Sequence, residues 1–452
     1  MQRDLTCGSV PGSMLRFALP MVLGNLLQQL YNVADTFIVG RFLGTDALGA
    51  VGSAYTLMVF LTSIVLGLSM GSGAVFSIRW GQRDMDKLQQ SVFTSFVLIA
   101  LLTAVLCGVS FAALDPILVL LQVPTENYEL MRSYLWVIFY GIPATFLYNY
   151  FACLLRSVGN STVPLLFLGI SAVTNILLDL LFVVVIPWGV AGAAAATVLA
   201  QYLAGVGVLL YTLLRFPQLR PRRRHLRLRR QSILEISQFS LLTCLQQSVM
   251  NFGILMVQGR VNSFGPAVMA AFAAAVKIDS FAYMPVQDFG NAFSTFIAQN
   301  YGARKMDRIS SGIRWAVVTS GAFCLAVSAL VFVFAQSLMG LFVDAGETEI
   351  LAVGVEYLRI EGSFYIGIGW LFLLYGLYRA VAIPLMSVVL TVISLGTRVA
   401  LAYLLSAIPS IGVLGIWWSV PIGWFLADLA GFLYYLLRRR QIEGRLYGSP
   451  HL

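Results

Sequence analysis

Four oxygen-bearing side chains stand out because the runs around them are apolar. Asp35 lies in LYNVADTFIVG (30–40), among Val, Ala, Phe and Ile. Asn175 and Asp179 lie four apart in SAVTNILLDLLFVVVIP (171–187), and so on one helix face. Thr197 follows in AAAATVLAQY (193–202). An aspartate at the centre of a membrane helix costs about 2.5–3.5 kcal/mol on insertion scales, so two of them need a task. Two carboxylates, an amide and a hydroxyl at one level make an oxygen cage for Na⁺. They equally make a proton site, because two carboxylates in low dielectric can share one proton. The alternative is a set of structural contacts between helices, which average about 0.6 kcal/mol each.

The elements that would position these groups follow from composition. The chain has 452 residues, 59% hydrophobic and 11% charged, with a mean hydropathy of +0.84. Residues 47–78, 88–114, 133–155, 236–259 and 315–343 contain no Asp, Glu, Lys or Arg. Each is long enough to cross a bilayer as a helix, which takes about 20 residues. The runs do not alternate as barrel strands would. The fold class is therefore an all-α polytopic membrane protein. Breaks at charges, prolines and glycines divide it into twelve spans, near 15–39, 46–72, 88–113, 130–153, 162–186, 190–214, 233–258, 265–290, 309–335, 350–375, 383–406 and 412–437. The turns IPWGVAG (186–192) and IPSIGVLG (408–415) separate runs too long for one helix. The N-terminal segment lacks the pattern of a cleaved signal.

Basic residues set the orientation. With the N-terminus cytoplasmic, 23 of the 29 Lys and Arg lie on that side. Arg41, Arg132, Arg260 and Arg359 lie on the other, and Lys277 and Arg398 fall within spans. Both termini are expected in the cytoplasm. The run RFPQLRPRRRHLRLRR (215–230) supplies eight of these charges. Between two spans it reads as a topological signal facing anionic lipid, not as a nucleic-acid site.

Depth follows from the helical rise of 1.5 Å per residue. Asp35 lies five residues before Gly40, Asp179 eight before Pro187, and Thr197 five after Gly192. All three fall roughly 7–12 Å from the outer end of their spans, in one layer.

The halves repeat. IRWGQRDMDK (78–87) answers QNYGARKMDR (299–308) at an offset of 221, LQQL (27–30) answers LQQS (245–248), and GRFLG (40–44) answers GRVNSFG (259–265). Gly141 in YGIPATF and Gly362 in EGSFYIG share the offset of 221. Six spans per repeat keep the same orientation, which implies two lobes related by a pseudo-two-fold axis along the membrane normal. The expected organisation is an N-terminal lobe at 1–214, a basic cytoplasmic linker at 215–232, a C-terminal lobe at 233–437 and a cytoplasmic tail at 438–452.

With LPMVLGNLLQQLYNVADTFIVGRFLG (19–44) and the motif after each lobe's second span, the chain resembles the multidrug and toxic compound extrusion (MATE) family along essentially its whole length. The resemblance implies alternating access, with a cation gradient driving export of amphipathic, often cationic compounds. Asp35, Asn175, Asp179 and Thr197 match the N-lobe cation site of the family's DinF-like branch, and Pro20 matches the proline where its first helix bends. NorM-like members instead carry acids in the seventh and tenth helices. Here Glu235 falls at the cytoplasmic end of span seven, and Glu356 and Glu361 fall near the outer end of span ten. Asp35 falls opposite Gly253 or Ile254, so the charge is expected in one lobe only.

In AVKIDSFAYMPVQDFG (275–290), Lys277, Asp279 and Asp288 form a candidate charged cluster. It is either internally neutralised, with Lys277 against an aspartate or backbone groups, or in contact with substrate or protons. Gln28, Tyr31, Asn32, Asn149, Gln246 and Asn251 are candidates for a substrate cavity. No cofactor is expected beyond the coupling ion, H⁺ or Na⁺, and no other metal. The scattered cysteines read as buried thiols. There is no HExxH, phosphate loop or intramembrane His, which argues against an enzyme or ATP-driven pump. Expected partners are small-molecule substrates and membrane lipids, for a monomer in the inner (plasma) membrane. The same-fold alternative is a flippase for lipid-linked oligosaccharide or another lipid, for which Arg398 and Lys277 would supply positive charge.

Overall fold

Backbone N–H and C=O groups facing hydrocarbon must be bonded within their own segment, so long apolar runs fold as helices. The computed structural model describes residues 4–120, 125–344 and 346–447, which are helical almost throughout and form no strand. The helices are α1 (Val10–Leu43), α2 (Thr45–Gly81), α3 (Met85–Ala112), α4 (Leu114–Leu120), α5 (Thr125–Ile138), α6 (Gly141–Ser157), α7 (Thr162–Asp179) and α8 (Gly189–Arg215). The second half has α9 (Arg230–Asn262), α10 (Pro266–Gly302), α11 (Met306–Met339), α12 (Thr348–Gly362), α13 (Tyr365–Ala380), α14 (Pro384–Ser406) and α15 (Leu414–Tyr447). Ten helices among the described residues are long and apolar enough to cross a membrane. Two pairs, Asn127–Ile138 with Gly141–Ser157 and Thr348–Gly362 with Tyr365–Ala380, bend by 45° and 50° at short breaks. Taken as single broken spans, they complete the expected twelve.

The helix packing divides the chain into two compact units, and their limits differ from the span-count lobes. One holds Leu23–Cys244 with Asp4; the other holds Leu5–Val22 and residues 245–447. The first turns of α1 and α9 each pack in the unit of the opposite repeat, so neither 1–214 nor 233–437 describes a compact unit. In the first unit, α9 docks on α2 where glycines permit backbone contact. A Cβ on Gly71 would meet the Phe239 carbonyl oxygen at 2.4 Å, and one on Gly67 would meet Cys244 Cα at 2.6 Å. Ser72 and Ser240 share a hydrogen bond of 2.8 Å. Arg79 Nη2 donates to both Glu235 oxygens at 2.6 and 2.7 Å. In the second unit, Asn300 and Arg308 donate to the Leu5 carbonyl, and Lys305 donates to that of Thr6. The linker is docked as well: Gln89 and Gln90 on α3 donate to the carbonyls of Gln218 and Arg227, and Arg224 pairs with Asp86.

The repeat is written into the backbone. Positive φ occurs at Gly44 and Gly265 and at Arg83 and Arg304, both pairs 221 residues apart. It recurs at Gly159 and Ala382 and at Gly189 and Gly412, now 223 apart. The two-residue shift lies before the broken spans, since Tyr134-Leu135 and Arg156 correspond to Tyr357-Leu358 and Arg379 at 223. The 221 pairing of Gly141 with Gly362 is therefore out of register.

Candidate functional site

The acid pair assembles within the first unit. Asp35 on α1 and Asp179 at the end of α7 lie within hydrogen-bonding reach of each other. Asp179 is fully buried, Asn175 is 2% exposed and Asp35 is half-buried. Asn175 Nδ2 donates to Thr197 Oγ1 at 3.3 Å, and that hydroxyl donates to the Ala193 carbonyl at 3.2 Å. Among the described residues, both Asp179 oxygens, Asp35 Oδ1 and Asn175 Oδ1 are buried without a donor. Four orphaned oxygens in low dielectric are costly unless something electropositive joins them. Two ionised carboxylates cannot bond each other, but with one proton between them they can.

The backbone at this point is irregular. After Asp179 the helix widens into a π-helix over Leu180–Val185, closed by Ile186 N–H to the Leu181 carbonyl and Trp188 N–H to the Phe182 carbonyl. π-turns are rare and cluster at functional sites. Tyr31, Tyr55 and Tyr134 lie near the carboxyls, and Gln28 bonds Tyr31. Sequence reasoning missed Tyr55 and Tyr134; the correspondence of Tyr134 with Tyr357 was the available signal. Pro20 lies inside α1, which is continuous across it.

The cavity candidates do not all come together. Gln28, Tyr31, Asn32 and Asn149 belong to the first unit, with Asn149 Nδ2 donating to its own helix at Thr145. Gln246 and Asn251 belong to the second.

The 275–290 cluster takes a different form from the one expected. Lys277 is exposed and does not neutralise Asp279. Asp279 is 2% exposed and accepts hydrogen bonds from Tyr357 at 2.6 Å and from Tyr365. Glu361 and Arg398 complete the group, while Asp288 is buried elsewhere on α10. Glu361 is 4% exposed and lies at the break between α12 and α13, in the middle of its broken span. Its expected place near the outer end was wrong because the span runs to Ala380. Both halves therefore carry buried acids, and the expectation that only one does is corrected. A further buried acid, Asp428 on α15, also went unrecognised in the sequence.

Two six-helix repeats with buried acids in broken or π-wound spans define a multi-pass membrane transporter. The MatE family profile matches residues 20–181 and 240–404, and the chain belongs to that family. It is similar to the "Probable multidrug resistance protein YpnP" of Bacillus subtilis, 30% identical over 96% of both chains. It also resembles the "Multidrug export protein MepA" of Staphylococcus aureus, 24% identical over 95% of this chain and 94% of that one. An outward-facing multidrug resistance MATE transporter superposes with a TM-score of 0.91 at 24% identity, covering 97% of this chain and 98% of that one. A Pyrococcus furiosus transporter of the MOP superfamily superposes at 0.90, with 24% identity and 98% of both chains covered. The family is one of transporters, not enzymes.

Proposed function

We propose that the chain is a secondary active antiporter that exports amphipathic, often cationic drugs or toxic compounds in exchange for H⁺ or Na⁺. The observation that carries this reading is the Asp35–Asp179 pair, whose buried orphaned oxygens sit beside a π-turn. The naming of the relatives as multidrug resistance and export proteins supports the cargo. The ion binds at Asp35 and Asp179 with Asn175 and Thr197 beside them, α1 bends at Pro20, and substrate leaves to the outside. Loss of the ion to the cytoplasm then lets substrate rebind. Gln28, Tyr31 and Asn32 on α1 precede the acid and are suited to sense substrate. Each charge moved gains about 2.3 kcal/mol per 100 mV, so an ion gradient suffices and no other cofactor is needed. The basic linker fits a cytoplasmic, lipid-facing position in the plasma membrane of a monomer. Arg398 gives no support to a pyrophosphate-lipid flippase, because two acids face it.

Dye efflux from vesicles with an imposed gradient tests this. The wild type exports dye when either ΔpH or a Na⁺ gradient is applied, and the effective gradient names the ion. Asp35→Asn abolishes gradient-driven efflux; full efflux by that variant overturns the proposal.

A further inference from the structure

The run at 215–230 has more structure than a topological signal needs. Net positive charge on a loop is enough to orient a membrane chain, and the loop need not fold. This one does. It joins the end of α8 to the start of α9 through two short turns, Pro217–Leu219 and Arg223–His225. Phe216, Leu219 and His225 are buried, and Gln89 and Gln90 of α3 each donate to a linker carbonyl, Gln218 and Arg227, at 2.7 Å. The Arg222 N–H donates to His225 Nδ1 at 3.2 Å. With those groups turned inward, the remaining side chains are held outward.

The outer face has two components. All eight arginines of the run are exposed, and among the described residues only Arg224 is paired with an acid, Asp86. The other seven guanidinium groups on one docked segment repel each other and attract an anion. Leu226 and Leu228, each 50% exposed, alternate with Arg227 and Arg229. Two exposed leucines count for little alone. Set among unpaired arginines at the ends of two membrane-spanning helices, they make the combination that suits a bilayer interface. Leucine enters the boundary between headgroups and acyl chains, where guanidinium groups bond phosphate in a two-pronged fit. A zwitterionic headgroup would bring its own cation against the arginines; an anionic one would not. Nucleic acid would leave the leucines against water, and residues 217–230 contain no Phe, Tyr or Trp on which a base could stack.

We propose that the docked linker is a binding surface for anionic phospholipid, with Leu226 and Leu228 set into the interface and Arg223, Arg227 and Arg229 on the headgroup phosphates. The surface is separate from the acid pair. Arg215, where it begins, lies eighteen residues along α8 from Thr197, about 27 Å at the helical rise. It does not depend on the antiport reading.

The test is native mass spectrometry of the full chain released from micelles that hold equal amounts of phosphatidylglycerol and phosphatidylcholine. The wild type is expected to retain phosphatidylglycerol in preference. Arg223→Gln/Arg227→Gln/Arg229→Gln should lower that retention by about tenfold and leave phosphatidylcholine unchanged. Leu226→Ser/Leu228→Ser should lower it by about threefold with every arginine in place. Both variants change only exposed side chains and keep the carbonyl bonds to Gln89 and Gln90. Arg16→Gln/Arg304→Gln/Arg314→Gln removes three exposed arginines outside the linker and should leave the preference intact. Equal retention of the two lipids by the wild type overturns the proposal, as does an equal loss in that control, which would make net charge the cause. Phosphate should displace no more lipid than chloride at equal ionic strength; greater displacement marks a free-phosphate site. A short RNA that displaces phosphatidylglycerol and binds the leucine variant as well as the wild type marks a nucleic-acid surface. Either result overturns the assignment to lipid.

Discussion

The ion pair that fastens the start of α9 to α2 has a cost of removal that can be worked from its geometry. Arg79 is 7% exposed and Glu235 21% exposed, and one guanidinium nitrogen reaches both carboxylate oxygens. Arg79 Nη1 keeps a further bond to Gln82 at 3.0 Å. Breaking a fully buried pair costs about 3–5 kcal/mol, because one charge remains uncompensated. Partial exposure of Glu235 relieves some of this, so Glu235→Gln should cost about 3 kcal/mol, the lower end of that range. The double variant Arg79→Met/Glu235→Gln removes both charges and should return to within about 1 kcal/mol of the wild type. The coupling energy in the cycle is then at least about 2 kcal/mol. Unfolding by SDS titration in mixed micelles measures all of the variants required. A Glu235→Gln cost below about 1 kcal/mol, or single-variant costs that simply add, refutes the assignment of this pair as a desolvated clamp.

Gly71→Ala should destabilise by about 1–3 kcal/mol in the same titration, since its Cβ would strike the Phe239 carbonyl. Gly108→Ala is the control: nothing lies within 4 Å of its Cβ, and a gain of about 0.5–1 kcal/mol is expected. Asp179→Asn should lose gradient-driven efflux while gaining stability on the order of 1 kcal/mol, because it removes an orphaned buried acid. Trp417, fully buried and stacked on Phe272 at 5.6 Å, should cost about 3–5 kcal/mol on replacement by alanine. Between α4 and α5, the bond from Arg132 holds the exposed Asp115 carboxyl below the usual carboxylate range. Its contribution is complete above the ordinary carboxylate pKa and is lost as pH falls through the lowered value. Arg132→Ala should move the Asp115 titration upward in carboxyl NMR, with little change in stability because both partners are exposed.

The spans were legible because hydrocarbon permits only helices there, and charge-free runs announce themselves. The turns at Pro187 and Pro409 were legible for the same reason, since the runs around them exceed one crossing. The exchange of the first turns of α1 and α9 was not. It depends on the close approach of Gly67 and Gly71 to α9, and glycine in an apolar run looks the same wherever it packs. Asp35, Asn175, Asp179 and Thr197 could be placed at one depth from the rise per residue. The π-turn after Asp179 could not, because LLFVVV has no residue that marks it. Glu361 was misplaced because the bend after Gly362 concealed how far its span continues. Lys277 attracted attention by its charge, yet charge on a helix does not say which face it takes, and it is exposed.

Duplication has kept the backbone and changed the chemistry, and the difference sets what each half can bind. At the position of Asn175 the second repeat has Arg398, which replaces a neutral oxygen donor with a fixed cation. The first site, with two acids and no resident cation among its described neighbours, can be neutralised by Na⁺ or by protons. The second already holds a fixed cation, since Arg398 stands beside Asp279 and Glu361. Arg398→Asn should therefore move the second site toward the first: the fixed charge is lost, and Asp279 with Glu361 then needs a further cation. Infrared difference spectra should then show a protonated-carboxyl band that Na⁺ displaces in this variant and not in the wild type. If Na⁺ displaces the band equally in both proteins, Arg398 is not what excludes the metal, and the difference between the repeats lies elsewhere.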